Sequence, residues 1–404
     1  MSLIQRNEYV NWLLNYKDKK VIKVLTGLRR VGKSTIFSLF IDELKKIGIT
    51  DEQIITINFE ELENAALQEK MALYNFIISR RVAGKKIYVF LDEIQRVNNF
   101  EEVVDSLFVK DDFDVYITGS NAKFLSSEIA TLLTGRYVEI NVLPISFKEY
   151  YENYKDNGKD KRALFMDYIT YGAMPGAYMF DNGSAEQREY IENVYKTILE
   201  KDVLKRNSAA SKQVVENILS YVVYNIGCLT SAKKISDTLN SNGTKVVYNT
   251  VASYFETLQD CFFIYKADRY DVVGKEYLKL INKYYVTDFG FKYYILNNKM
   301  IELPQLLENL IFLELKRRRY KIATGKVDNK EVDFIVKSND DHLKYIQVAV
   351  TVMSEDKLKQ ELAVFAEIRD NYPKYIITLD DLYTPDHDGI KTINAIDFLL
   401  GEGI

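Results

Sequence analysis

The stretch that decides the fold is Gly27-Leu28-Arg29-Arg30-Val31-Gly32-Lys33-Ser34, a full match to the pattern G-x-x-x-x-G-K-[ST]. An apolar run over residues 21–26 precedes it and predicts a β-strand, while Leu39, Phe40 and Leu44 have helical spacing after it. A turn between a strand and a helix directs backbone N–H groups and the positive end of the helix dipole at one point. The pattern therefore predicts a loop that binds phosphate groups.

The residue types of this loop each suit phosphate binding. Gly27 and Gly32 allow the backbone to approach a phosphate closely. Lys33 neutralises the β- and γ-phosphates of a nucleotide, and the Ser34 hydroxyl is a ligand for Mg²⁺. An ordinary glycine-containing turn is the alternative, but strand, loop and helix together favour a nucleotide site. The residues expected to contact the nucleotide are Gly27, Leu28, Arg29, Arg30, Val31, Gly32, Lys33, Ser34 and Thr35.

A second apolar run, residues 87–91, ends in two adjacent carboxylates, Asp92 and Glu93. Asp92 is expected to hold the Mg²⁺ ion through water, and Glu93 to polarise the water that attacks the nucleotide. Paired acids at a strand end are also common by chance, because strands often exit into polar loops. In a chain that also has a phosphate-binding loop, the pair favours hydrolysis of the nucleotide over binding alone.

Two other polar residues are candidates for catalysis. Asn121 follows a predicted strand and is expected to sense the γ-phosphate, with Ser120 as the second candidate for this role and a helix cap as the alternative. Arg136 opens a predicted strand, which we expect to place its guanidinium near the active edge of the sheet. There it would stabilise transition-state charge as an arginine finger, in cis or towards a neighbouring subunit. A solvated arginine is the alternative.

The identity of the nucleotide follows from a missing motif. Guanine recognition in proteins with this loop normally uses Asn-Lys-x-Asp. The Asn-Lys pairs of this sequence begin at Asn282, Asn298 and Asn329, and none is followed by that aspartate. ATP is therefore favoured, with Mg²⁺ as its companion ion.

The composition limits the kinds of protein and partner. The length of 404 residues predicts two or three domains. With 54 Lys and Arg against 58 Asp and Glu, the formal net charge is −4, so any contact with nucleic acid must be local. Two cysteines and two histidines exclude a disulfide scaffold and a cysteine-rich zinc site. The longest uncharged stretch, residues 217–232, is too short and polar to span a bilayer, so we expect a cytoplasmic protein without membrane contact.

Hydrophobic patterning predicts an α/β fold whose first part is a doubly wound parallel sheet. The predicted strands cover residues 21–26, 54–59, 86–91, 115–118 and 137–142, and the predicted helices cover 33–46, 71–81, 100–108 and 122–133. A helical lid or connector follows, then three helices and a hairpin in winged-helix order, then a second, smaller α/β unit. The predicted domains are residues 1–146 (core), 147–206 (lid), 207–300 (winged helix) and 301–404 (C-terminal unit).

Motifs spread over nearly the whole chain resemble one known family. They are GLRRVGKST, FLDEIQRV, ITGSNAKFLSSEIATLLTGR, LPISFKEY, YGAMPG, KDVLKRN, YVTDFGF, and EVDFIV with YIQVAVT. In this order they resemble the prokaryotic AAA-type ATPases that carry the domain of unknown function numbered 4143. The resemblance implies an ATP-hydrolysing P-loop NTPase core of AAA-like fold, a winged-helix middle and a C-terminal domain similar to restriction endonucleases. It carries over the roles of Lys33, Ser34, Asp92 and Glu93.

The C-terminal unit has only part of a nuclease site. A nuclease of this fold needs a helix glutamate, an aspartate on one strand and Glu-x-Lys on the next, gathered around a metal ion. Glu308 and Asp333 fit the first two positions, but Gln347 and Ala349 replace the acid and the lysine. We expect a catalytically degenerate domain that serves docking or scaffolding, with an active nuclease as the alternative.

Nucleic-acid binding has two candidate surfaces. They are the winged helix, with a recognition helix over residues 245–258, and the basic run Lys316-Arg317-Arg318-Arg319-Tyr320-Lys321. The winged-helix segment carries nearly equal numbers of basic and acidic residues, and a basic run at a helix end also complements the helix dipole. DNA is one predicted partner, and a client protein or a second copy of the chain is the other.

These observations favour a magnesium-dependent ATPase whose nucleotide state acts as a switch or remodeller on DNA or protein. One alternative is a regulatory or protein-interaction module that binds ATP and turns it over slowly. Another is an ATP-coupled, metal-dependent nuclease. The rate of ATP hydrolysis distinguishes the first two, and metal-dependent cleavage of DNA identifies the third.

Overall fold

A parallel sheet with helices forms the first part of the chain, and a mixed sheet with helices forms the second. The computed structural model describes residues 4–121, 133–206, 211–296, 302–338 and 342–404. Contacts between residues divide the chain into two units. Unit 1 comprises Met1–Pro144 and Asp260–Phe262, and unit 2 comprises Ile145–Gln259 and Phe263–Ile404.

Unit 1 is built on a five-stranded parallel sheet, as the sequence predicts. Its strands are β1 (Ile22–Thr26), β2 (Ile54–Asn58), β3 (Ile87–Asp92), β4 (Phe113–Gly119) and β5 (Tyr137–Asn141), in the order β2-β3-β4-β1-β5. The described helices are α1 (Asn7–Tyr16), α2 (Lys33–Lys46), α3 (Lys70–Ser79) and α4 (Phe100–Phe108). The helix predicted over residues 122–133 lies outside the described residues except for its last position.

The middle strands of this sheet are buried on both faces. Every residue of β1, β3 and β4 is buried, which is why these strands read as largely apolar runs. Helix α2 covers one face with Ile36, Phe40 and Leu44, at the spacing of the helical period. The Phe40 ring centre lies 6.0 Å from that of Phe90 and 5.2 Å from that of Tyr116. This aromatic packing fixes α2, and with it the loop before α2, against the sheet.

The register of the strands decides which chain segments meet. Thr26 at the end of β1 pairs with Gly119 at the end of β4, and β4 runs parallel to β3, which ends at Asp92. The carboxyl ends of all three strands therefore lie at one edge of the sheet. That edge holds the phosphate-loop sequence, the paired acids and the polar residues after β4, as expected of a doubly wound fold.

Unit 2 begins with helices, in the region predicted to hold the lid and the winged helix. They are α5 (Phe147–Tyr154), α6 (Lys161–Tyr171), α7 (Ala185–Ile198), α8 (Lys212–Tyr224), α9 (Ala232–Ser241) and α10 (Tyr248–Asp260). Most begin at a side chain that accepts a hydrogen bond from a backbone N–H of the first turn. These capping residues are Ser146, Asp160, Ser184, Ser211 and Ser231. No helix in the described ranges is long and apolar enough to cross a membrane.

An eight-stranded mixed sheet forms the rest of unit 2. Its strands are β6 (Ile264–Asp271), β7 (Glu276–Val286), β8 (Lys321–Val327), β9 (Lys330–Lys337), β10 (Leu343–Ala349), β11 (Lys374–Thr378), β12 (Asp386–His387) and β13 (Ile390–Asn394), in the order β12-β13-β11-β10-β9-β8-β6-β7. The helices are α11 (Lys292–Ile295), α12 (Leu303–Arg317), α13 (Glu355–Leu362) and α14 (Ala395–Leu400). Because β6 pairs with β8, the hairpin predicted for the winged helix and the C-terminal strands share one sheet. The winged-helix and endonuclease-like folds and the four domain ranges stay predictions.

Candidate active site

The loop between β1 and α2 has a backbone conformation that depends on its glycines. Gly27 and Gly32 have positive φ angles, 144° and 94°. A Cβ atom at Gly27 would lie 2.4 Å from the carbonyl oxygen of Val142, so only glycine fits there. Between the two glycines, the side chains of Leu28 and Val31 are fully buried. The loop is thus anchored in the core while its backbone turns around the start of α2.

Lys33, the first residue of α2, is only 4% exposed. Its Nζ donates to the carbonyl oxygens of Gly27 at 3.0 Å and Leu28 at 3.3 Å. The same Nζ lies 3.6 Å from Glu93 Oε1. The structure therefore brings the ammonium group of the predicted lysine, Lys33, close to the carboxylate of the predicted general base, Glu93.

Ser34 and Asp92 meet directly at the carboxyl edge of the sheet. Ser34 Oγ donates to Asp92 Oδ2 at 2.5 Å, and Thr118 Oγ1 donates to Asp92 Oδ1 at 2.5 Å. Burial raises the pKa of Asp92, and these two hydrogen bonds oppose the rise. A hydroxyl and a carboxylate in contact are oxygen donors of the kind that Mg²⁺ prefers, so the pair fits the predicted metal site.

Glu93 has a left-handed backbone, with a φ angle of 54°, and a buried side chain. Its backbone N–H donates to Thr118 Oγ1 at 2.8 Å, so this one threonine contacts both acids. The Glu93 Oε2 atom accepts hydrogen bonds from Ser120 Oγ at 3.1 Å and from Gln95 Nε2. These contacts fix the direction of the carboxylate.

The charge of Glu93 is set by two cations. Burial by itself raises the pKa of the Glu93 carboxyl, but the Lys33 ammonium and the Arg29 guanidinium, with the hydrogen bonds from Gln95 and Ser120, together lower it. Arg29 Nη1 also lies 3.1 Å from Glu60 Oε1, and Arg96 Nη2 lies 3.0 Å from the same oxygen. Glu93 is therefore ionised at neutral pH, the state required of a general base.

Three predicted nucleotide contacts lie around this centre. Arg30 is exposed, with a φ angle of 67°, and Thr35 is half-buried in the first turn of α2. Asn121 follows β4 on the same sheet edge as the phosphate loop. The roles of these residues stay predictions.

Sequence reasoning did not assign two residues that hold the acids. Thr118 is a hydroxyl residue at the end of the apolar strand β4, and this was the signal that could have identified it. Gln95 lies in the short turn Ile94–Arg96 after Glu93, and no spacing rule singles it out. Ser120, the second candidate for sensing the γ-phosphate, contacts Glu93 directly.

The predicted place of Arg136 near the active edge is wrong. The Arg136 carbonyl oxygen accepts a hydrogen bond of 2.8 Å from the N–H of Ile22, at the start of β1, whereas the phosphate loop follows Thr26 at its end. At about 3.3 Å per strand residue, roughly 13 Å separates the two ends. The Arg136 guanidinium pairs with Asp105 and lies 5.6 Å from the centre of the Phe108 ring. A residue that opens a parallel strand lies at its amino edge, so only the role towards a neighbouring subunit stays a prediction.

Part of the basic run at residues 316–321 contacts acidic or aromatic side chains of unit 2. Arg317 Nε lies 3.5 Å and Arg318 Nε 2.9 Å from the carboxylate of Glu314. Lys316 Nζ lies 4.4 Å from the centre of the Tyr265 ring. These contacts lower the charge that the run can offer to DNA.

Unit 2 contains a second group of charged residues, which we call the Lys283 cluster (Lys283, Glu308, Glu331 and Asp333). Glu308 on α12 and Asp333 on β9, the two predicted nuclease residues, do come together here. Lys283 Nζ on β7 lies 2.9 Å from Glu308 Oε1 and 3.3 Å from Asp333 Oδ1. It also lies 2.7 Å from Glu331 Oε1, and Lys283 is 3% exposed. One buried ammonium group therefore forms ion pairs with three carboxylates.

The surroundings of this cluster are polar but hold no recognisable metal site. Asp333 donates its backbone N–H to Gln347 Oε1 at 3.3 Å, and Tyr285 OH donates to Glu308 Oε1 at 2.7 Å. Burial raises the pKa of Glu308 to about 7, although the Lys283 charge opposes the rise. Within the described ranges, no three or more His, Cys, Asp or Glu side chains are arranged to hold a metal ion.

Comparison with protein families and solved structures identifies the fold. An AAA domain matches residues 19–151, and a domain of unknown function, DUF8612, matches residues 162–302. The second match corrects the prediction of the domain numbered 4143. The solved Walker-type ATPase paby2304 of Pyrococcus abyssi is similar, with a TM-score of 0.52 and 17% identity, over 73% of this chain and 96% of that one. Unit 1 thus has a P-loop ATPase fold of the AAA type.

Two relatives match over most of their lengths. An uncharacterized protein of Haemophilus influenzae is 35% identical over 402 residues, covering 99% of each chain. The uncharacterized protein MJ1544 of Methanocaldococcus jannaschii is 30% identical over 386 residues, covering 89% of this chain and 82% of that protein. The chain therefore belongs to the same family as these two proteins, and within it residues 19–151 are an AAA domain.

Proposed function

We propose that the chain binds ATP with Mg²⁺ at the carboxyl edge of the unit 1 sheet and hydrolyses it. The convergence of four side chains carries this proposal. Lys33 lies 3.6 Å from Glu93, and Ser34 lies 2.5 Å from Asp92. A cation, a hydroxyl, a metal-binding carboxylate and a general base within one small region are the groups that phosphoryl transfer to water requires.

The loop and the start of α2 would hold the phosphates. The backbone N–H groups after Gly27 and the positive end of α2 favour an anion at this point. Ser34 and Asp92 would hold Mg²⁺, which neutralises phosphate charge when bound. The Lys33 ammonium would exchange the carbonyl oxygens of Gly27 and Leu28 for phosphate oxygens.

Glu93 is the proposed general base. Its pKa is lowered by Lys33 and Arg29 in spite of burial, so it can accept a proton from water at neutral pH. Ser120 and Thr118 fix its side chain and its backbone. A positioned and ionised carboxylate beside Lys33 favours an ATPase over the alternative of a regulatory module that binds ATP and turns it over slowly.

We further propose that the nucleotide acts as a switch. Binding would exchange the hydrogen bonds of Lys33 to the loop carbonyl oxygens for contacts with phosphate oxygens, and hydrolysis would reverse the change. The loop and the edge of the sheet would then differ between the two states, which is what a remodeller of DNA or of a client protein needs. The partner stays open between DNA, a client protein and a second copy of the chain.

The test is phosphate release from ATP, measured with Mg²⁺ and with excess EDTA, and with and without DNA. Lys33→Ala should abolish turnover, and Glu93→Gln should lower it by about 10²- to 10⁴-fold, the usual span for a general base. Lys46→Ala, at the far end of α2, and the exposed Glu63→Gln are matched controls, expected within about 2-fold of wild type. ATP binding with turnover no faster than that of Lys33→Ala would favour the slow module.

The Lys283 cluster favours a non-catalytic C-terminal region. Lys283 already serves Glu308, Glu331 and Asp333, so a metal ion would have to compete with a buried ammonium for the same oxygens. Metal-dependent nicking of DNA that is lost in Asp333→Ala would instead support the nuclease alternative.

A further inference from the structure

Gln95 is a polar residue of the active site to which the proposed mechanism gives no role. It lies in the short turn Ile94–Arg96, directly after the general base. Its Nε2 donates to Glu93 Oε2 and lies 3.5 Å from Ser120 Oγ. The donor end of the Gln95 amide therefore hydrogen-bonds to Glu93, the side chain that would activate water.

The acceptor end of the same amide is different. Gln95 Oε1 is buried, yet it accepts no hydrogen bond from any residue in the described ranges. Buried polar atoms without partners are rare, because losing contact with water is costly unless another group replaces it. An amide is planar, so while Nε2 stays on Glu93, Oε1 is held in place beside the carboxylate. The site thus has a fixed hydrogen-bond acceptor next to its base.

We infer that Gln95 positions both Glu93 and the attacking water, with Nε2 holding the carboxylate and Oε1 accepting a hydrogen bond from the water. The inference rests on the proposed ATP hydrolysis and adds a residue to it. A water molecule has two protons, and a single carboxylate oxygen directs only one of them. A second acceptor at a fixed place would orient the water oxygen, and orientation of a bound nucleophile contributes substantially to rate.

The chemical step balances with these groups. The water oxygen forms a bond to the γ-phosphorus, and the bond from that phosphorus to the oxygen bridging the β- and γ-phosphates breaks. The electron pair of the broken bond leaves with ADP. One water proton passes to Glu93 and from there to solvent, and the other stays on the oxygen, hydrogen-bonded to Gln95 Oε1 until phosphate is released.

The test compares single-turnover hydrolysis by wild type, Gln95→Met and Gln95→Glu with the binding of a fluorescent ATP analogue. Methionine keeps the length of the side chain and removes both ends of the amide. Glutamate keeps an acceptor but loses the donor to Glu93. Both variants should bind the analogue as wild type does and hydrolyse ATP about 10- to 100-fold more slowly, the span found when a residue that orients a site group is lost.

The control variant is Gln53→Met. Gln53 Nε2 also donates a hydrogen bond from its amide, to the carbonyl oxygen of Lys86 at 3.0 Å, but it precedes β2 at the amino edge of the sheet. Its hydrolysis rate should equal that of wild type. A second comparison introduces Gln95→Met into Glu93→Gln. Because Gln95 acts on Glu93 and on the water that Glu93 activates, the added change should cost less there than in wild type, whereas a purely structural role would give additive losses.

Each outcome decides the question. Wild-type rates in Gln95→Met and Gln95→Glu would overturn the role of Gln95 and leave ATP hydrolysis intact. Additive losses in the Glu93→Gln background, or a loss of analogue binding that matches the loss of rate, would also overturn it. Wild-type protein that does not hydrolyse ATP would overturn the proposed function itself. The inference is supported if both Gln95 variants hydrolyse ATP slowly with unchanged binding, and if Gln95→Met costs less in the Glu93→Gln background than in wild type.

Discussion

Ser34 Oγ and Asp92 Oδ2 lie 2.5 Å apart, although 58 positions separate the two residues in the sequence. Strand β4 lies between β1, which leads into the loop before Ser34, and β3, which ends at Asp92. Its Thr118 hydrogen-bonds to the other oxygen of Asp92. The parallel sheet therefore assembles a hydroxyl, a carboxylate and a second hydroxyl at one edge. This arrangement is the structural basis for the proposed binding of Mg²⁺ and ATP at that edge.

Gly27→Ala should impair the phosphate loop through a steric clash. The new Cβ would lie 2.4 Å from the Val142 carbonyl oxygen, at a φ angle of 144° that disfavours alanine. We expect a lower melting temperature and weaker binding of a fluorescent ATP analogue. Gly48→Ala is the control, because Gly48 also has a positive φ angle, 93°, but nothing within 4 Å of its Cβ position. Equal effects of the two substitutions on nucleotide binding would refute the steric explanation.

Arg136→Ala should leave turnover within about 2-fold of wild type in protein dilute enough to be monomeric, because its partly exposed ion pair with Asp105 contributes little. Arg136 pairs with Asp105 at the amino edge of the sheet, away from the phosphate loop. An arginine finger acting in cis would instead cost about 10³- to 10⁵-fold. A loss of that size at high dilution would contradict the placement, and a loss found only in concentrated protein would indicate action in a neighbouring subunit.

Lys283→Met should strongly destabilise unit 2. It leaves three carboxylates of the Lys283 cluster without their buried counter-ion, and breaking such a pair costs about 3–5 kcal/mol. Lys326→Met is the control on the same sheet, because Lys326 pairs with Asp271 nearer the surface, where a pair contributes about 0–1 kcal/mol. Urea unfolding measures both free energies. A loss for Lys283→Met no larger than for Lys326→Met would show that the cluster is not a structural centre.

Asp288 should make the stability of the chain depend on pH. It connects the motifs YGAMPG and YVTDFGF, accepting hydrogen bonds from the N–H groups of Ala173 at 2.6 Å and Gly290 at 2.7 Å. Burial raises its pKa from 3.8 to about 6, although both N–H groups and Lys292 oppose the rise. The folded chain therefore holds a proton that the unfolded chain releases. This contribution to stability is fully present below about pH 4 and is lost as the pH rises through 6.

The measurement is the free energy of unfolding of wild type minus that of Asp288→Asn, from pH 4 to pH 7. The asparagine cannot titrate, so the difference isolates the carboxyl group. It should fall by at most about 1.4 kcal/mol per pH unit between pH 4 and 6, the limit for one proton. A difference that stays constant or rises with pH contradicts a raised pKa.

The sequence predicts the core of the site because its residues are close along the chain or follow a fixed pattern. Gly27 to Ser34 form one motif, and Asp92 and Glu93 end an apolar strand, so their meeting follows from the geometry of a parallel sheet. The sequence does not predict the role of Gln95, because this role depends on the direction of an amide within a turn. The prediction for Arg136 is wrong because a residue that opens a parallel strand lies at the amino edge of the sheet, whereas the phosphate loop lies at the carboxyl edge.

The second half of the chain was harder to predict. Strand β8, Lys321–Val327, has charged residues near both ends and contains Gly325, so its sequence gives a weak strand signal, and its first residue is also the last of the basic run. Lys283 lies 25 positions from Glu308 and 50 from Asp333, so only the folded sheet shows that it serves both. The pairing of β6 with β8 likewise joins distant segments without a local signal.

Phosphate release from ATP by wild type and by Glu93→Gln, at matched saturation with ATP and Mg²⁺, tests the central claim most directly. Both proteins should bind the nucleotide, and the variant should turn it over about 10²- to 10⁴-fold more slowly because only the general base has changed. Equal turnover by the two proteins, or turnover by wild type no faster than by Lys33→Ala, would contradict hydrolysis at this site.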